Sequence, residues 1–184
     1  MTATLRWLPG PGHGPVPGPA VAITVRAARS RTDWSHARRL LLEYVECAAV
    51  SLGFDVAEVA PRVWQEAEVP SARYHHPNSV LLLARHGDEP VGIGGLHVHG
   101  DAAEVVRMYV RPPYRRRGIA GALLDGLHEE ALRRGVRRLY LGTDPVAMAA
   151  AVRLYQRFGF RAGGTQWSDG IEFLRMELVL TDPR

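Results

Sequence analysis

The stretch Val105–Leu124, VVRMYVRPPYRRRGIAGALL, constrains the fold of this chain most, because it predicts a strand, a basic turn and a helix in succession. The apolar, β-branched start favours a strand. The two prolines after it end that strand, since neither can donate a ladder hydrogen bond. The first N–H groups of the following helix have no internal partner and lie at the positive end of the helix dipole. The turn is therefore a predicted anion-binding site.

The residue types in the turn fit a phosphate group. Gly118 lets a ligand approach the backbone closely, and the small side chain of Ala120 leaves the first helical turn accessible. The three arginines before the glycine, Arg115–Arg117, carry a fixed charge and forked donors that suit phosphate oxygens. The turn is therefore expected to hold a phosphate or a diphosphate.

The same turn matches a family pattern. The run Arg115-x-x-Gly118-x-Ala120 resembles the acyl-CoA pyrophosphate loop of the GNAT superfamily of N-acetyltransferases, whose pattern is Gln/Arg-x-x-Gly-x-Gly/Ala. A second segment, Ala151–Phe160, resembles the family's A-x-x-x-Y-x-x-x-G-F segment, and the two motifs have the family's usual separation. The resemblance extends over Ala22–Leu180 and implies both the fold and the binding of acyl-CoA.

The resemblance implies a binding mode for acetyl-CoA. Strands four and five would splay apart, the pantetheine arm would lie in the gap along the backbone of strand four, and the pyrophosphate would lie on the basic turn. A strand-four N–H near the thioester carbonyl would stabilise the oxyanion, and one such donor is typically worth about 10²–10³ in rate. Arg111 is a further candidate, for the adenosine 3′-phosphate. Met148 departs from the pattern, because many relatives carry there an asparagine that contacts the cofactor. The implied cofactor-binding residues are Met108, Tyr109, Val110, Arg115, Arg116, Arg117, Gly118, Ile119 and Ala120.

Transfer of an acetyl group to an amine requires two proton movements. An alkyl ammonium with a pKa near 10 is neutral in only about one molecule per thousand at pH 7, so a base must remove its proton. The resemblance implies that Tyr155, at the family's acid position, protonates the departing thiolate. It also points to Glu104, in the run Glu-x-x-Arg-Met-Tyr-Val, as the base, acting through water. His97 and His99 are alternative bases, because the ordinary pKa of histidine is closer to neutral.

The periodicity of the whole chain predicts an α/β (α+β) fold. Strands two to four form an antiparallel meander, and strand five, reached through a helix, lies parallel to strand four by a right-handed crossover. The result is a mixed, mostly antiparallel sheet of six to seven strands with helices on both faces. The resemblance implies that this sheet is of the GNAT type, with a splay between strands four and five. The predicted strands are Val21–Ala28, Val80–His86, Val91–His99, Val105–Val110, Arg137–Thr143, Phe160–Ala162 and Ile171–Leu180, and the predicted helices run from an N-cap at Asp33 to near Gly53, from Ile119 to Gly135 and over Val146–Arg157.

Two parts of the chain lie outside this regular pattern. Residues 1–20, rich in proline and glycine, predict a low-complexity arm, so residues 21–184 are predicted to be a single acetyltransferase-like domain. The irregular stretch Phe54–Ser79, with a short helix within Val56–Ala67, either connects the elements around it or carries acceptor specificity. Its adjacent histidines, His75 and His76, do not predict a metal site, because neighbouring side chains point apart and no cysteine or carboxylate spacing accompanies them.

The composition indicates where the protein is located and which partners are expected. Cys47 is the only cysteine, which predicts a reducing, cytoplasmic location without disulfides. All 23 basic residues are arginine, a bias typical of high-GC bacterial coding. No apolar run approaches the ~18 residues of a membrane span, and no continuous apolar segment predicts a secretory signal. The net charge of +4 permits nucleic acid as a partner, but none is expected because the sequence has no nucleic-acid signature.

These observations support one leading function and one alternative. The leading hypothesis is an N-acetyltransferase that moves an acetyl group from acetyl-CoA to a primary amine of a small molecule or peptide, by direct attack on the thioester and without a metal. The alternative is a catalytically silent acyl-CoA-binding or regulatory module on the same fold, motivated by Met148 and by the choice among several bases. The identity of the acceptor and a homodimeric state are left open.

Overall fold

A computed structural model describes residues 22–53, 61–168 and 170–180, in which seven strands and five α-helices follow one another along the chain. The predicted arm of residues 1–20 lies outside these residues. Of the helices in the described ranges, none is both long and apolar enough to cross a membrane. The strands are β1 (Ile23–Ala27), β2 (Ser79–His86), β3 (Glu89–His99), β4 (Ala102–Val110), β5 (Arg138–Thr143), β6 (Arg161–Ser168) and β7 (Ile171–Val179), and the helices are α1 (Arg31–Leu52), α2 (Pro61–Glu68), α3 (Pro70–Tyr74), α4 (Ile119–Arg133) and α5 (Ala149–Phe158).

The seven strands form one sheet in the order β1-β2-β3-β4-β5-β7-β6. Within the described sheet β4 and β5 are parallel, and every other pair of neighbours is antiparallel. The parallel pair arises because α4 carries the chain from the end of β4 back to the start of β5, as a crossover requires. The predicted mixed, mostly antiparallel sheet is therefore confirmed.

Each face of the sheet carries its own apolar core. On one face α4 and α5 pack against the sheet, and Leu123 and Leu127 of α4 are fully buried there. On the other face α1 and α3 pack against the sheet over Leu81 and Ile93. Helices therefore lie on both faces, as predicted. A gap within the sheet would be bordered by α4 and α5 on one side and by α1 to α3 on the other.

The start of α1 corrects one prediction. Ser30, not Asp33, is the N-cap, and Asp33 occupies the third helical position. The two residues form a capping box, in which the Asp33 N–H donates to Ser30 Oγ at 3.1 Å and the Ser30 N–H donates to Asp33 Oδ2 at 3.0 Å. Burial alone would raise the pKa of Asp33, but the hydrogen bonds from Ser30 and Arg29 outweigh it and lower that pKa.

β6 is longer than predicted. It extends over Arg161–Ser168 rather than Phe160–Ala162, so most of the predicted link Gly163–Gly170 is strand. The paired glycines indicated a loop, but β7 supplies a continuous antiparallel partner. The ladder resumes after an irregularity between Ala162 and Thr165.

α5 begins later than predicted, at Ala149 rather than Val146. The N–H groups of Val146 and Ala147 donate to Asp144 Oδ1 at 2.8 and 2.7 Å, so these residues form a turn closed by a carboxylate. A side chain that satisfies backbone donors in this way competes with the helix, which explains the later start.

The described part of the stretch between α1 and β2, residues 61–78, contains two short helices. The helix predicted within Val56–Ala67 is described from Pro61 onward and ends at Glu68, and α3 follows at once from Pro70. Proline suits the first turn of a helix, because the N–H that it lacks would have no partner there. These two helices pack on the α1 face of the sheet, although the sequence pattern of this stretch is irregular.

Candidate active site

β4 and β5 pair over only the first part of their lengths. The parallel ladder joins Ala102 to Arg138 and Glu104 to Tyr140, and within the described residues it stops there. β5 continues along β7 as far as Thr143, while β4 continues along β3. The two strands therefore diverge, and the predicted splay between strands four and five is confirmed.

A bulge in β4 lies beside this gap. Arg107 and Met108 of β4 lie opposite the single residue Gly94 of β3. Arg107 has a φ of +56°, in the left-handed region that non-glycine residues rarely adopt. Gly94 leaves room for the bulge, since a Cβ there would lie 2.7 Å from Met108 Sδ. Bulges next to active sites redirect a strand, and this one sets the direction of the β4 backbone at the gap.

The basic turn at the end of β4 is open. Gly118 is the N-cap of α4 with a φ of +79°, and its carbonyl accepts the first helical hydrogen bond, from the Ala122 N–H at 3.0 Å. A Cβ built at Gly118 or at Gly121 would have no described atom within 4 Å outside its own local backbone. The N–H groups at the start of α4 therefore face a space that a ligand can enter.

The arginines of the turn point in different directions. Arg115 folds back, so that its Nε donates to the Val110 carbonyl at 2.9 Å and its Nη2 to Cys47 Sγ at 3.5 Å. Arg116 and Arg117 are exposed. The Val110 carbonyl thus has a donor within the chain. Arg116 and Arg117 present their charges to solvent at the mouth of the turn.

Arg111 is held by two carboxylates. Its guanidinium donates to Glu43 at 2.6 and 2.8 Å and to Glu89 at 3.2 Å. The hydrogen bonds to Glu43 are the main reason that the pKa of Arg111 is raised. Its charge is therefore balanced within the chain, which weakens the case for the adenosine 3′-phosphate role.

Tyr155 lies at the α5 side of the gap. It is 7% exposed and belongs to the same apolar cluster as Met108, with its ring 5.9 Å from that of Phe160. Burial, and secondarily the Tyr44 phenol, raise the pKa of Tyr155 well above its ordinary value. The phenol is therefore protonated at neutral pH, as a proton donor must be.

Glu104 lies where the β4–β5 ladder ends. Its side chain is half-buried, and its Oε1 accepts a hydrogen bond from Gln166 Nε2 at 3.3 Å. Burial first, and then the negative charge of Glu104, raise the pKa of Tyr140, its ladder partner on β5. The carboxylate is thus close to the last paired residues of the two diverging strands.

A family comparison covers both parts of this site. A family model described as "Acetyltransferase (GNAT) family" matches residues 41–160, more than half of the chain. The chain belongs to the GNAT acetyltransferase family. The matched range includes the basic turn and the segment with Tyr155, so the resemblance predicted from those two motifs is confirmed.

One relative in sequence and two solved structures are similar to this GNAT protein. An uncharacterised N-acetyltransferase of Mycobacterium tuberculosis is 32% identical over 107 residues, which cover 55% of this chain and 67% of the relative. The structure of a GNAT acetyltransferase from Staphylococcus aureus has a TM-score of 0.70 at 18% identity and covers 87% of this chain and 100% of that chain. PaiA N-acetyltransferase of Thermoplasma acidophilum, solved with coenzyme A, has a TM-score of 0.70 at 17% identity over 86% of this chain and 99% of that chain. These structures show the same fold.

His97, an alternative base, is enclosed by hydrogen bonds. Its Nε2 accepts from Arg73 Nε at 3.3 Å, and its Nδ1 is 2.9 Å from Ser79 Oγ. Because an arginine can only donate, Nδ1 carries the proton and donates to the serine. Burial, followed by the charge of Arg73, lowers the pKa of His97 to about 4. His97 is therefore neutral, with both ring nitrogens engaged, while His99 lies exposed at the end of β3.

A buried hydrogen-bond network at the β4 bulge is not predicted by the sequence. Arg107 donates to both carboxylate oxygens of Glu66 of α2, at 3.2 and 3.1 Å, and the Tyr74 hydroxyl of α3 donates to the same carboxylate. Burial and the Glu66 charge raise the pKa of Tyr74, which keeps its phenol protonated. The Arg107 guanidinium also lies 5.8 Å from the centre of the Tyr44 ring.

This network links the short helices to the gap. Glu66 is 9% exposed, and a buried charge of this kind requires a partner. The available signal was Arg107 itself, a charged residue inside an otherwise apolar strand. No spacing rule pointed to Glu66, which is 41 residues away in sequence.

No cluster suited to a metal accompanies the gap. Among residues 22–53, 61–168 and 170–180, no group of three or more histidine, cysteine, aspartate or glutamate side chains could hold a metal ion. His76 Nδ1 accepts the Asn78 N–H at 3.2 Å, while the His75 ring lies 6.3 Å from the Trp34 ring. The two adjacent histidines thus have different neighbours.

Proposed function

We propose that this protein transfers an acetyl group from acetyl-CoA to a primary amine of a small molecule or peptide, by direct attack of the amine on the thioester. The observation that carries the proposal is the unpaired gap between β4 and β5, which lies next to the open turn at Gly118 and near both Tyr155 and Glu104. Membership in the GNAT acetyltransferase family supports the same reaction class.

The residues at the gap fit acetyl-CoA. The first turn of α4 is unobstructed at Gly118 and Gly121, so its N–H groups can hold the diphosphate, with Arg116 and Arg117 adding charge. Thr143 Oγ1, at the end of β5, is buried and has no hydrogen-bond partner among the described atoms, as expected beside a polar ligand group. The backbone of Met108 to Val110 would hold the pantetheine arm.

The acid and the base lie on opposite faces of the sheet. Tyr155 belongs to the apolar cluster that also contains Val105, on the α4 and α5 face. Val106 packs with the cluster on the α1 face, and Glu104 shares its face because side chains alternate along a strand. An amine that enters from the α1 side therefore meets the carboxylate first, while the phenol faces the other side of the thioester.

Each side chain then has one role. The thioester of acetyl-CoA supplies the activated acyl group. Glu104, directly or through water, accepts a proton from the incoming ammonium before the neutral amine attacks the thioester carbonyl. As the C–S bond breaks, Tyr155 donates its proton to the departing sulfur, and the second proton that the nitrogen loses returns through water to the phenolate. The raised pKa of Tyr155 keeps the phenol protonated before the reaction. The bulge at Arg107 interrupts the β3–β4 ladder, so a β4 N–H beside it would donate to the carbonyl oxygen that becomes negative.

Thiol release from acetyl-CoA over a panel of alkyl amines, diamines and peptides with a free amino terminus tests the proposal. We expect turnover with at least one amine, and a loss of about 10²–10⁴-fold in kcat for Tyr155→Phe and for Glu104→Gln, the usual range for general acid–base groups. Tyr114→Phe is the matched control, since that phenol donates to Glu89 at 2.6 Å and lies outside the gap.

Two results would contradict the proposal. Calorimetric binding of acetyl-CoA without turnover on any amine would identify a catalytically silent acyl-CoA-binding module instead. Full activity of Tyr155→Phe would remove the phenol from the mechanism and leave the sulfur to depart without it.

A further inference from the structure

Gln166 of β6 reaches the carboxylate that the proposed mechanism uses as a base. Its Nε2 donates to Glu104 Oε1 at 3.3 Å, although β5 and β7 separate the two strands in the sheet. The opposite orientation of the amide would bring its oxygen against a carboxylate oxygen, and two acceptors repel each other. The N–H donor is therefore the group that faces Glu104.

Gly142 of β5 makes this contact possible. A Cβ at Gly142 would lie 2.5 Å from Gln166 Nε2 and 3.0 Å from its Cδ. The amide thus lies directly on the backbone of β5, two residues beyond Tyr140, the last β5 residue that pairs with β4. Any side chain at Gly142 would push the amide away from the carboxylate.

The arrangement is not explained by stability. Gln166 Oε1 is buried and has no hydrogen-bond partner among the described atoms, and leaving such an acceptor unpaired typically costs about 1–3 kcal/mol. An apolar side chain in the same place would avoid that cost. Buried polar groups that remain unsatisfied call for a functional explanation.

We propose that Gln166 is a positioning residue, which holds the Glu104 side chain at the acceptor side of the gap, and that Gly142 provides the space for it. This inference rests on the proposed function, because it assigns a partner to the proposed base. The N–H donor restrains the Glu104 side chain to one direction.

Several charged and titratable groups surround Glu104. His97 is its ladder partner on β3 and is neutral, with both nitrogens engaged. Tyr140 is its partner on β5, and the Arg175 guanidinium of β7 lies 4.2 Å from the centre of the Tyr140 ring. Arg175 in turn binds Glu177 at 2.6 Å. Gln166 is the neutral donor in this set, so its removal changes no net charge.

Separate measurements of kcat and of the two KM values provide the test, made with acetyl-CoA and the panel amine that reacts fastest. In Gln166→Ala we expect a loss of about ten- to a hundredfold in kcat, the effect of removing a hydrogen bond to a charged group. The KM for acetyl-CoA should stay unchanged, because Gln166 contacts the proposed base and not the basic turn. In Gln166→Glu the loss of kcat should be larger, because a second carboxylate would face the first.

Gly142→Ala removes the contact between Gln166 and Glu104 in an independent way, because the added methyl group displaces the amide. It should reproduce the loss of kcat in Gln166→Ala, and the double variant should lose no more than either single variant, since both remove one contact. The affinity for acetyl-CoA should stay unchanged in all of them. Thr165→Ala, at an exposed neighbouring position on β6, is the control and should match the parent protein.

The outcomes separate this inference from the proposed function. An unchanged kcat in Gln166→Ala and Gln166→Glu, with Glu104→Gln inactive, would overturn the role of Gln166 and leave the base in place. Losses from Gly142→Ala and Gln166→Ala that add fully would overturn the role of Gly142. Full activity of Glu104→Gln would instead overturn the proposed base itself.

Discussion

The two sides of the β4–β5 gap are built in different ways. The proposed cofactor side is one continuous segment, from the end of β4 to the first turn of α4, and its main feature is exposed backbone at Gly118. The proposed acceptor side is assembled from α2, α3, β3, β4 and β6, and its main feature is a set of buried side chains around Arg107 and Glu104. Backbone suffices to hold a diphosphate, whereas an amine must be recognised and deprotonated by side chains.

The largest effect should come from obstructing the cofactor side. In Gly118→Glu we expect the affinity for acetyl-CoA to fall by at least about a thousandfold, equivalent to ~4 kcal/mol, because a carboxylate would occupy the space that the anion needs. Calorimetric titration measures the loss. Gly100→Glu is the matched control, since Gly100 also has a positive φ, +65°, and open surroundings in the β3–β4 turn. Equal affinity in both variants would mean that the turn does not bind the diphosphate.

A second variant breaks the acceptor side. Glu66→Ala leaves the Arg107 guanidinium and the Tyr74 hydroxyl without their common partner, and breaking a buried pair typically costs about 3–5 kcal/mol. We expect a loss of about 3 kcal/mol in the free energy of unfolding, measured by denaturant titration, because the Arg107 side chain is 21% exposed. Glu129→Ala, at an exposed position of α4, should change it by less than about 0.5 kcal/mol.

The same variant sharpens the comparison between the two sides. Since Glu66 holds the bulge from the α1 face, its loss should raise the KM for the amine more than the KM for acetyl-CoA. An equal rise in both constants would show that the two sides are not separable in this way.

The smallest expected effect is the change in stability for each pH unit. The unfolded chain protonates His97 below its ordinary pKa of 6.5, whereas the folded protein does so only below about 4. Between these values the unfolded state binds more protons, so stability falls as the pH is lowered, by at most about 1.4 kcal/mol per pH unit. Unfolding curves collected from pH 7 to 4 measure that slope.

His97→Gln should reduce this slope, whereas His99→Gln at the exposed end of β3 should leave it unchanged. An identical slope in both variants would assign the acid sensitivity to other groups. His36 is one such group, because burial and then the charge of Arg85 lower its pKa as well.

The parts of the fold that were predictable have local causes. The strand, proline turn and helix of Val105–Leu124 follow from residues that are adjacent in sequence, and so does the antiparallel meander of β2 to β4. The predictions were wrong where a local sequence signal was compatible with two structures. Asp33 could cap α1 or form the third position of a capping box, and the glycines of β6 could form a loop or a strand with a partner.

The residues of the candidate site also fall into those that belong to a short sequence motif and those that meet only through long-range contacts. Tyr155 and the turn at Gly118 belong to motifs of about ten residues, so their chemistry is readable in the sequence. Glu66, Tyr74 and Gln166 become partners of β4 only through contacts that span 62 residues in the case of Gln166 and Glu104. No periodicity relates such positions, because the distance between them depends on how separate helices and strands pack.

By itself, the sequence determined the order of the elements, the parallel crossover and the open basic turn before α4, since each depends on dihedral preferences and hydrogen bonds within a short segment. The tertiary structure decided which side chains surround the gap and in which charge state. It engaged both nitrogens of His97, paired Arg107 with Glu66 and placed Gln166 against Glu104. Burial keeps His97 neutral, and burial exists only once distant parts of the chain exclude water together.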